Sequence, residues 1–401
     1  MDTLDVERLR AGDWHPSPLS EFVLKVHSRC NLACDYCYVY ESADQSWTAQ
    51  PMRMSSRVIR STASRIAEHA ERHALRRVDV ILHGGEPLLA GATLIEEVIR
   101  EVRGAVPEFC RAEFGMQTNG VLLDEKTLDM LAAHEVGVSV SLDGDQAAHD
   151  RRRRHGNGRG SHAEVMRGLE LLAGHYRALY RGLLCTVDLR NDPVRTYEAL
   201  LETSPPRVDF LLPHGNWTTP PPGRPVVDDG STPYADWLIK AFERWYHVKE
   251  RETGVRYFEE IINLLLGGES RSESIGLAPV TMLVIDTDGA LQQVDSLKTS
   301  YAGAPETGLT VHDHAFDDVL WHPGVVARQI GVAALSEPCM RCRARDLCGG
   351  GAYPHRYREG DGYRNPSVYC PDLFKLIGHI DRTLRRDLAA LNAYADARPA
   401  D

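Results

Sequence analysis

Three cysteines, Cys30, Cys34 and Cys37, stand within eight residues near the start of the chain, and four more, Cys339, Cys342, Cys348 and Cys370, stand within 32 residues near its end. Clustered thiolates in a reducing compartment are metal ligands more often than disulfide partners. Three thiolates from one tight loop hold three corners of an iron–sulfur cube and leave one iron open to a ligand. A structural zinc loop is the alternative, with His27 as the nearest fourth ligand. The Cys339-x2-Cys342-x5-Cys348 run with Cys370 supplies a complete set for one cube, or for a four-cysteine zinc site. Cys110 and Cys185 stand alone in apolar surroundings and read as small core residues.

Other chemistry-bearing groups punctuate the first half. His83-Gly84-Gly85-Glu86-Pro87 joins a flexible backbone to a carboxylate able to meet an ammonium. Gln117-Thr118-Asn119 and Ser141-Leu142-Asp143 follow apolar runs, and His149-Asp150-Arg151-Arg152-Arg153 carries the basic run 151–154. An arginine here can fork onto a carboxylate. The other three arginines are expected on a solvated face.

The elements that must position these groups are legible. Strand patterns at 22–27, 78–83, 112–117, 138–142, 182–187 and 208–212 alternate with amphipathic helical patterns at 55–75, 92–102, 124–134, 162–176 and 193–202. Repeated βα units imply a parallel sheet, either doubly wound or a partial barrel, with chemistry at the C-terminal strand ends. The pattern breaks in a proline-rich loop at 215–233. Helices at 234–252 and 257–266 follow, then a β-hairpin at 281–286 and 290–294, and an amphipathic helix at 374–394. Segment 338–370 has little periodicity and needs metal to hold it.

The Cys30-x3-Cys34-x2-Cys37 spacing, with Tyr36 before its last cysteine, resembles the radical S-adenosylmethionine (SAM) superfamily. The Gly-Gly-Glu-Pro about 50 residues later strengthens the likeness. The resemblance implies an α/β fold, a partial (β/α)6 barrel of the radical SAM type, with SAM bound to the open iron of a 4Fe-4S cluster and cleaved to a 5′-deoxyadenosyl radical. It implies that Gly84, Gly85, Glu86 and Pro87 meet the SAM methionyl amine. Tyr36, Gln117, Thr118, Asn119, Ser141 and Asp143 belong to the same cofactor site. Arg153 meets the SAM carboxylate and Val187 the adenine, although a plain core valine is an equal reading there.

The second cysteine set resembles the SPASM extension of peptide-modifying radical SAM enzymes, which holds two auxiliary clusters. Here Ala352 and Val294 occupy ligand positions of one of them, so a single auxiliary 4Fe-4S cluster is expected. Asp295, after the second of these positions, matches the catalytic base of anaerobic sulfatase maturases; a plain hairpin-turn aspartate is the alternative. His355 and Arg356 line the substrate cleft or support the cluster. Within this group the opening 22–32, Tyr38-Val39-Tyr40-Glu41 and the run from Cys348 to Tyr357 are similar to FxsB-type maturases. That likeness implies a three-residue cyclophane: a crosslink from an aromatic ring carbon to the Cβ of a residue two positions later, in a ribosomally made precursor peptide. Thioether formation, epimerisation, sulfatase-type oxidation and a non-catalytic iron–sulfur or zinc protein are the alternatives.

The expected organisation is an N-terminal extension (1–20), the barrel (21–232), a helical linker (233–280), a SPASM-like domain (281–375) and a C-terminal helix (376–401). A net charge of -11 disfavours a nucleic-acid partner. No apolar run is long enough to span a bilayer. The first ten residues lack a signal core, so a cytoplasmic location is expected. The peptide substrate and a reductant such as a flavodoxin or ferredoxin are the expected partners, and no separate leader-recognition domain is evident.

Overall fold

The computed structural model describes residues 4–224 and 230–396. The start of the N-terminal stretch (1–3), part of the proline-rich loop (225–229) and the end of the C-terminal segment (397–401) lie outside the described residues.

A single sheet of ten strands frames the molecule: β1 (Glu21–His27), β2 (Arg77–Gly84), β3 (Arg111–Thr118), β4 (Gly137–Ser141), β5 (Tyr180–Thr186), β6 (Arg207–Leu211), β7 (Gly254–Val255), β8 (Met282–Ile285), β9 (Ala290–Gln292) and β10 (Glu306–Thr310). The spatial order is β10-β9-β8-β1-β2-β3-β4-β5-β6-β7. Strands β1 to β7 run parallel, β8 lies parallel to β1, and β9 and β10 close the edge antiparallel. Each of the first six strands lies beside its neighbour in sequence. That order winds one way, as a barrel wall does, whereas a doubly wound sheet doubles back. The end strands β7 and β10 are not neighbours, so the wall stays open and the partial barrel is the form observed.

Pattern dictates this frame. Along β2, Val78, Val80 and Leu82 are fully buried, while the alternate Ile81 and His83 face the barrel interior. Each such buried aliphatic contributes about 1.5–3 kcal/mol. The helix Ser56–Arg72 starts where the Ser55 side chain accepts the Val58 N–H, and it buries Val58, Ile59, Ala63, Ile66 and Ala70 on one face.

Four details differ from the sequence reading. The hairpin strand β8 pairs with β1 and so extends the barrel wall. Strand β7 falls inside the stretch read as helical linker. A helix at Gln146–Arg152, capped by the Asp145 side chain, is too short to show a period in the sequence. The C-terminal helix begins at Cys370, which places that cysteine on its first turn.

Candidate active site

The C-terminal ends of β1 to β5 open on one cavity of about 430 Å3. Its wall includes Cys30, Cys34 and Cys37 from the loop after β1, Gly84 and Gly85 at the end of β2, Gln117, Thr118 and Asn119 at the end of β3, then Ser141, Arg153 and Thr186. The cysteine loop is stiffened by its own backbone: the Cys37 N–H donates to the Cys34 carbonyl (3.1 Å) and the Glu41 N–H to the Cys37 carbonyl (2.8 Å). Asn119 Nδ2 reaches Cys30 Sγ at 3.6 Å and Asn31 Oδ1 at 2.7 Å. Burial pushes the thiols up, Cys30 to about 11 and Cys34 to about 12. Thiolates at these positions need a cation beside them.

The glycine pair is required by the protein as well as by any ligand. A Cβ on Gly85 would stand 1.9 Å from the Tyr40 hydroxyl and 2.4 Å from the Arg29 carbonyl carbon, and one on Gly84 2.1 Å from the His27 oxygen. The exit of β2 therefore presses backbone to backbone against the cysteine loop. Glu86 departs from expectation. Fully buried, it accepts the Thr118 hydroxyl (2.7 Å) and the Leu88 N–H (3.1 Å) at Oε1 and the Asn119 N–H (2.8 Å) at Oε2. Its carboxylate fixes the end of β3 instead of facing the cavity, and burial pushes its pKa up to about 7. Pro87 opens the buried turn Pro87–Ala90 behind it.

Asp143 joins Tyr36 and Arg153, which the sequence offered separately, to Thr186, which it did not single out. Its Oδ1 accepts the Thr186 N–H (3.0 Å), and its Oδ2 accepts both the Tyr36 hydroxyl and Arg153 Nε (2.9 Å). The Arg153 guanidinium lies 5.4 Å from the Tyr36 ring centroid. This network ties the cysteine loop to β4 and β5. Gln117 Nε2 donates to Ser141 Oγ (3.0 Å). Val187 is buried on an adjoining cavity of about 280 Å3, also lined by Tyr36 and Asp143. Of the arginines read as a solvated face, Arg151 and Arg152 are half-buried, and Arg152 lies on the main wall with Nη1 2.8 Å from Asp35.

A larger cavity, of about 940 Å3, fills the barrel interior between Ile81, His83, Leu184, Leu211 and Asp295. Asp295 begins the turn Asp295–Thr299. Its Oδ1 lies 2.6 Å from Lys25 Nζ, which also meets Asp286 Oδ2 at 3.0 Å. Burial opposes ionisation of Asp295, but the Lys25 ammonium outweighs it and holds the carboxyl below its usual range. His214, after β6, lies on the walls of both cavities, its ring 4.8 Å from Tyr38 and 5.6 Å from His355. Burial pulls its pKa down to about 4. The sequence reading missed His214, because a lone histidine has no spacing signal. Its place at a strand's C-terminal end was the only pointer.

The C-terminal cysteines converge. Cys339, Cys342, Cys348 and Cys370 line one cavity of about 80 Å3. Gly349 is held at φ +60, and a Cβ there would lie 1.6 Å from the Gly276 oxygen. Of the two substituted ligand positions, Val294 packs with Leu297, Ala304, Ala327, Tyr353 and Tyr363, and Ala352 faces another small cavity.

Residues 24–199 match the Radical SAM superfamily. The chain carries a radical SAM domain. Over 360 residues, 88% of this chain and 94% of the relative, it is 23% identical to the Cysteine-type anaerobic sulfatase-maturating enzyme of Clostridium perfringens. It is 31% identical over 162 residues to the Serine-type enzyme of Bacteroides thetaiotaomicron, covering 39% of this chain and 37% of that one. The structure of native anSMEcpe with bound AdoMet superposes with a TM-score of 0.78 at 22% identity, covering 91% of this chain and 98% of the other. The likeness to that solved structure is one of fold. No helix among the described residues is long and apolar enough to cross a membrane.

Proposed function

We propose that this protein is a radical SAM enzyme that removes two electrons from a peptide, and that its product is the three-residue cyclophane: an aromatic ring carbon joined to the Cβ of a residue two positions along a precursor peptide. The observation that carries the reading is the convergence of the cysteine loop, the Gly84-Gly85 backbone and the Asp143 network on one cavity that adjoins a lumen roomy enough for a peptide segment. A peptide substrate is supported by the names of relatives that mature sulfatases. It is supported again by Streptococcus suis SuiB bound to precursor peptide SuiA, which superposes with a TM-score of 0.56 at 14% identity over 91% of this chain and 78% of its own.

Cys30, Cys34 and Cys37 would hold a 4Fe-4S cluster whose open iron takes SAM, and Cys339, Cys342, Cys348 and Cys370 one auxiliary 4Fe-4S cluster. Bound together, these groups supply a hydrogen-abstracting radical and an electron acceptor. The residues fit such clusters: three thiolates from one loop line the first cavity, and four line the C-terminal one.

The chain's own residues divide the remaining work. Gly84 and Gly85 bring backbone to the cavity, with Glu86 and Pro87 bracing them from behind. Gln117, Thr118, Asn119 and Ser141 offer polar contacts to the methionyl and ribose groups. Asp143 fixes Tyr36 and aims Arg153 at the methionyl carboxylate, and Val187 keeps its place against the adenine. The product lacks two hydrogens; one leaves as an atom and the other as a proton that Asp295 accepts, while its electron leaves separately. The five-part division of the chain, the flavodoxin or ferredoxin reductant and the cytoplasmic location belong to the same proposal.

Sulfatase-type oxidation of a serine or cysteine side chain is the second reading, favoured by the 360-residue match to sulfatase maturases and by the lumen position of Asp295. Anaerobic incubation with reductant, SAM and candidate peptides separates the two. The crosslink gives a peptide two hydrogens lighter, silent to hydrazide reagents and unbroken between the joined residues in tandem mass spectrometry. A hydrazide-reactive product from a sulfatase-derived peptide would overturn it in favour of the second reading.

A further inference from the structure

Behind His214 lies a cavity of about 80 Å3 that serves neither cysteine set. Three of its lining residues each carry a buried polar atom with no hydrogen-bond partner: Glu273 Oε2, Ser296 Oγ and His355 Nε2. His355 is only 5% exposed. A buried polar group left unpaired costs about 1–3 kcal/mol, so three around one void mark a place built for an occupant. The void shares His214, Glu273 and Ser296 with the barrel lumen and so adjoins it.

The three atoms share one capacity. Glu273 accepts hydrogen bonds, the Ser296 hydroxyl oxygen accepts, and a neutral imidazole protonated on Nδ1 accepts at Nε2. Burial keeps His355 neutral, pulling its pKa well below the ordinary value. The surrounding charge has the same sign. The lumen wall carries Glu21, Glu269, Glu273, Asp295 and Asp346 against Arg256 and Arg271; with Asp295 paired to Lys25, Asp346 to Arg345 and Arg256 to Asp209, three carboxyls face one guanidinium. Glu21 has a raised pKa, first from burial and then from Asp79 and Glu273.

We propose that this void holds the ammonium group of a lysine side chain of the substrate. An ammonium brings three donors to three acceptors and a positive charge to an acidic lumen. A guanidinium brings five donors in a rigid plane and would leave two unmatched. The inference rests on the reading of the protein as a peptide-modifying enzyme, and it narrows the substrate to peptides with a lysine near the modified residues.

Equilibrium dialysis of the anaerobically reconstituted holoenzyme against Nα-acetyl-lysine N-methylamide and its norleucine counterpart tests this without turnover. The lysine compound is expected to bind at least about 10-fold more tightly, a difference of about 1.4 kcal/mol. Glu273→Gln should erase the preference and Ser296→Ala should reduce it, with the circular dichroism spectrum showing that each variant is folded. Equal retention of the two compounds, including none of either, overturns the proposal, as does a preference that survives both substitutions or an arginine compound that binds more tightly than lysine. Absence of 5′-deoxyadenosine from the same preparation under strong reductant would count against the enzyme reading instead.

Discussion

Lys25 Nζ lies 2.6 Å from Asp295 Oδ1, joining the strand that leads into the first cysteine loop to the turn that follows the C-terminal hairpin. Both groups are buried. The contact fixes the carboxylate on the lumen wall and favours its ionised form. Asp295→Asn keeps the shape and removes the carboxylate proposed as the base. Product formation should fall about 100-fold, the scale of lost general-base catalysis, while 5′-deoxyadenosine continues to form. Liquid chromatography of both products in one assay checks this.

The glycine at each cysteine loop makes a separable prediction. Gly85→Ala drives a Cβ into Tyr40 and Arg29, and Gly349→Ala drives one into the Gly276 carbonyl. Each should cost the iron of its own site and leave the other, so each variant should bind about half the iron of a two-cluster protein. Colorimetric iron assay with electron paramagnetic resonance identifies which site is lost.

His149 supplies a pH dependence. It is fully buried, with Nε2 3.0 Å from Ser161 Oγ, and burial followed by the nearby Arg153 charge pulls its pKa down to about 3. The unfolded imidazole takes up a proton below about 6.5 while the folded one stays neutral, so acidification favours the unfolded chain. Stability should fall as pH drops below 6.5, with a contribution from this residue of at most about 1.4 kcal/mol per pH unit. Urea unfolding between pH 7.5 and 5 should show a shallower slope in His149→Gln.

How much of this was legible beforehand varies by residue for physical reasons. Strand and helix periods are local, so the six βα units, the cysteine sets and their loops could be read directly. The partners of Glu86 come from 32 and 33 residues away, on β3. A motif that offers a carboxylate does not reveal that the fold has already used it. Arg152 likewise looked solvated in a basic run, but Asp35 lies 117 residues earlier and holds it on the cavity wall. His214, Glu273, Ser296 and His355 come to share one cavity wall only through tertiary packing, and no spacing announces them. Pairing of β8 with β1 was hidden in the same way, since a hairpin's sequence specifies its turn and not which outer strand it joins.

The C-terminal set is expected to act on the second half of the reaction. Cys348→Ala should spare 5′-deoxyadenosine formation more than peptide product, shifting the ratio of the two toward uncoupled cleavage. Parallel loss of both would place the set in a purely structural role.

The most direct test is electron paramagnetic resonance of the reduced, anaerobically reconstituted protein before and after addition of SAM. One 4Fe-4S signal should change on addition and be absent from Cys34→Ala, while a second, belonging to the C-terminal set, stays unchanged. Zinc in place of iron at Cys30, Cys34 and Cys37, or a signal from that site indifferent to SAM, would contradict the account.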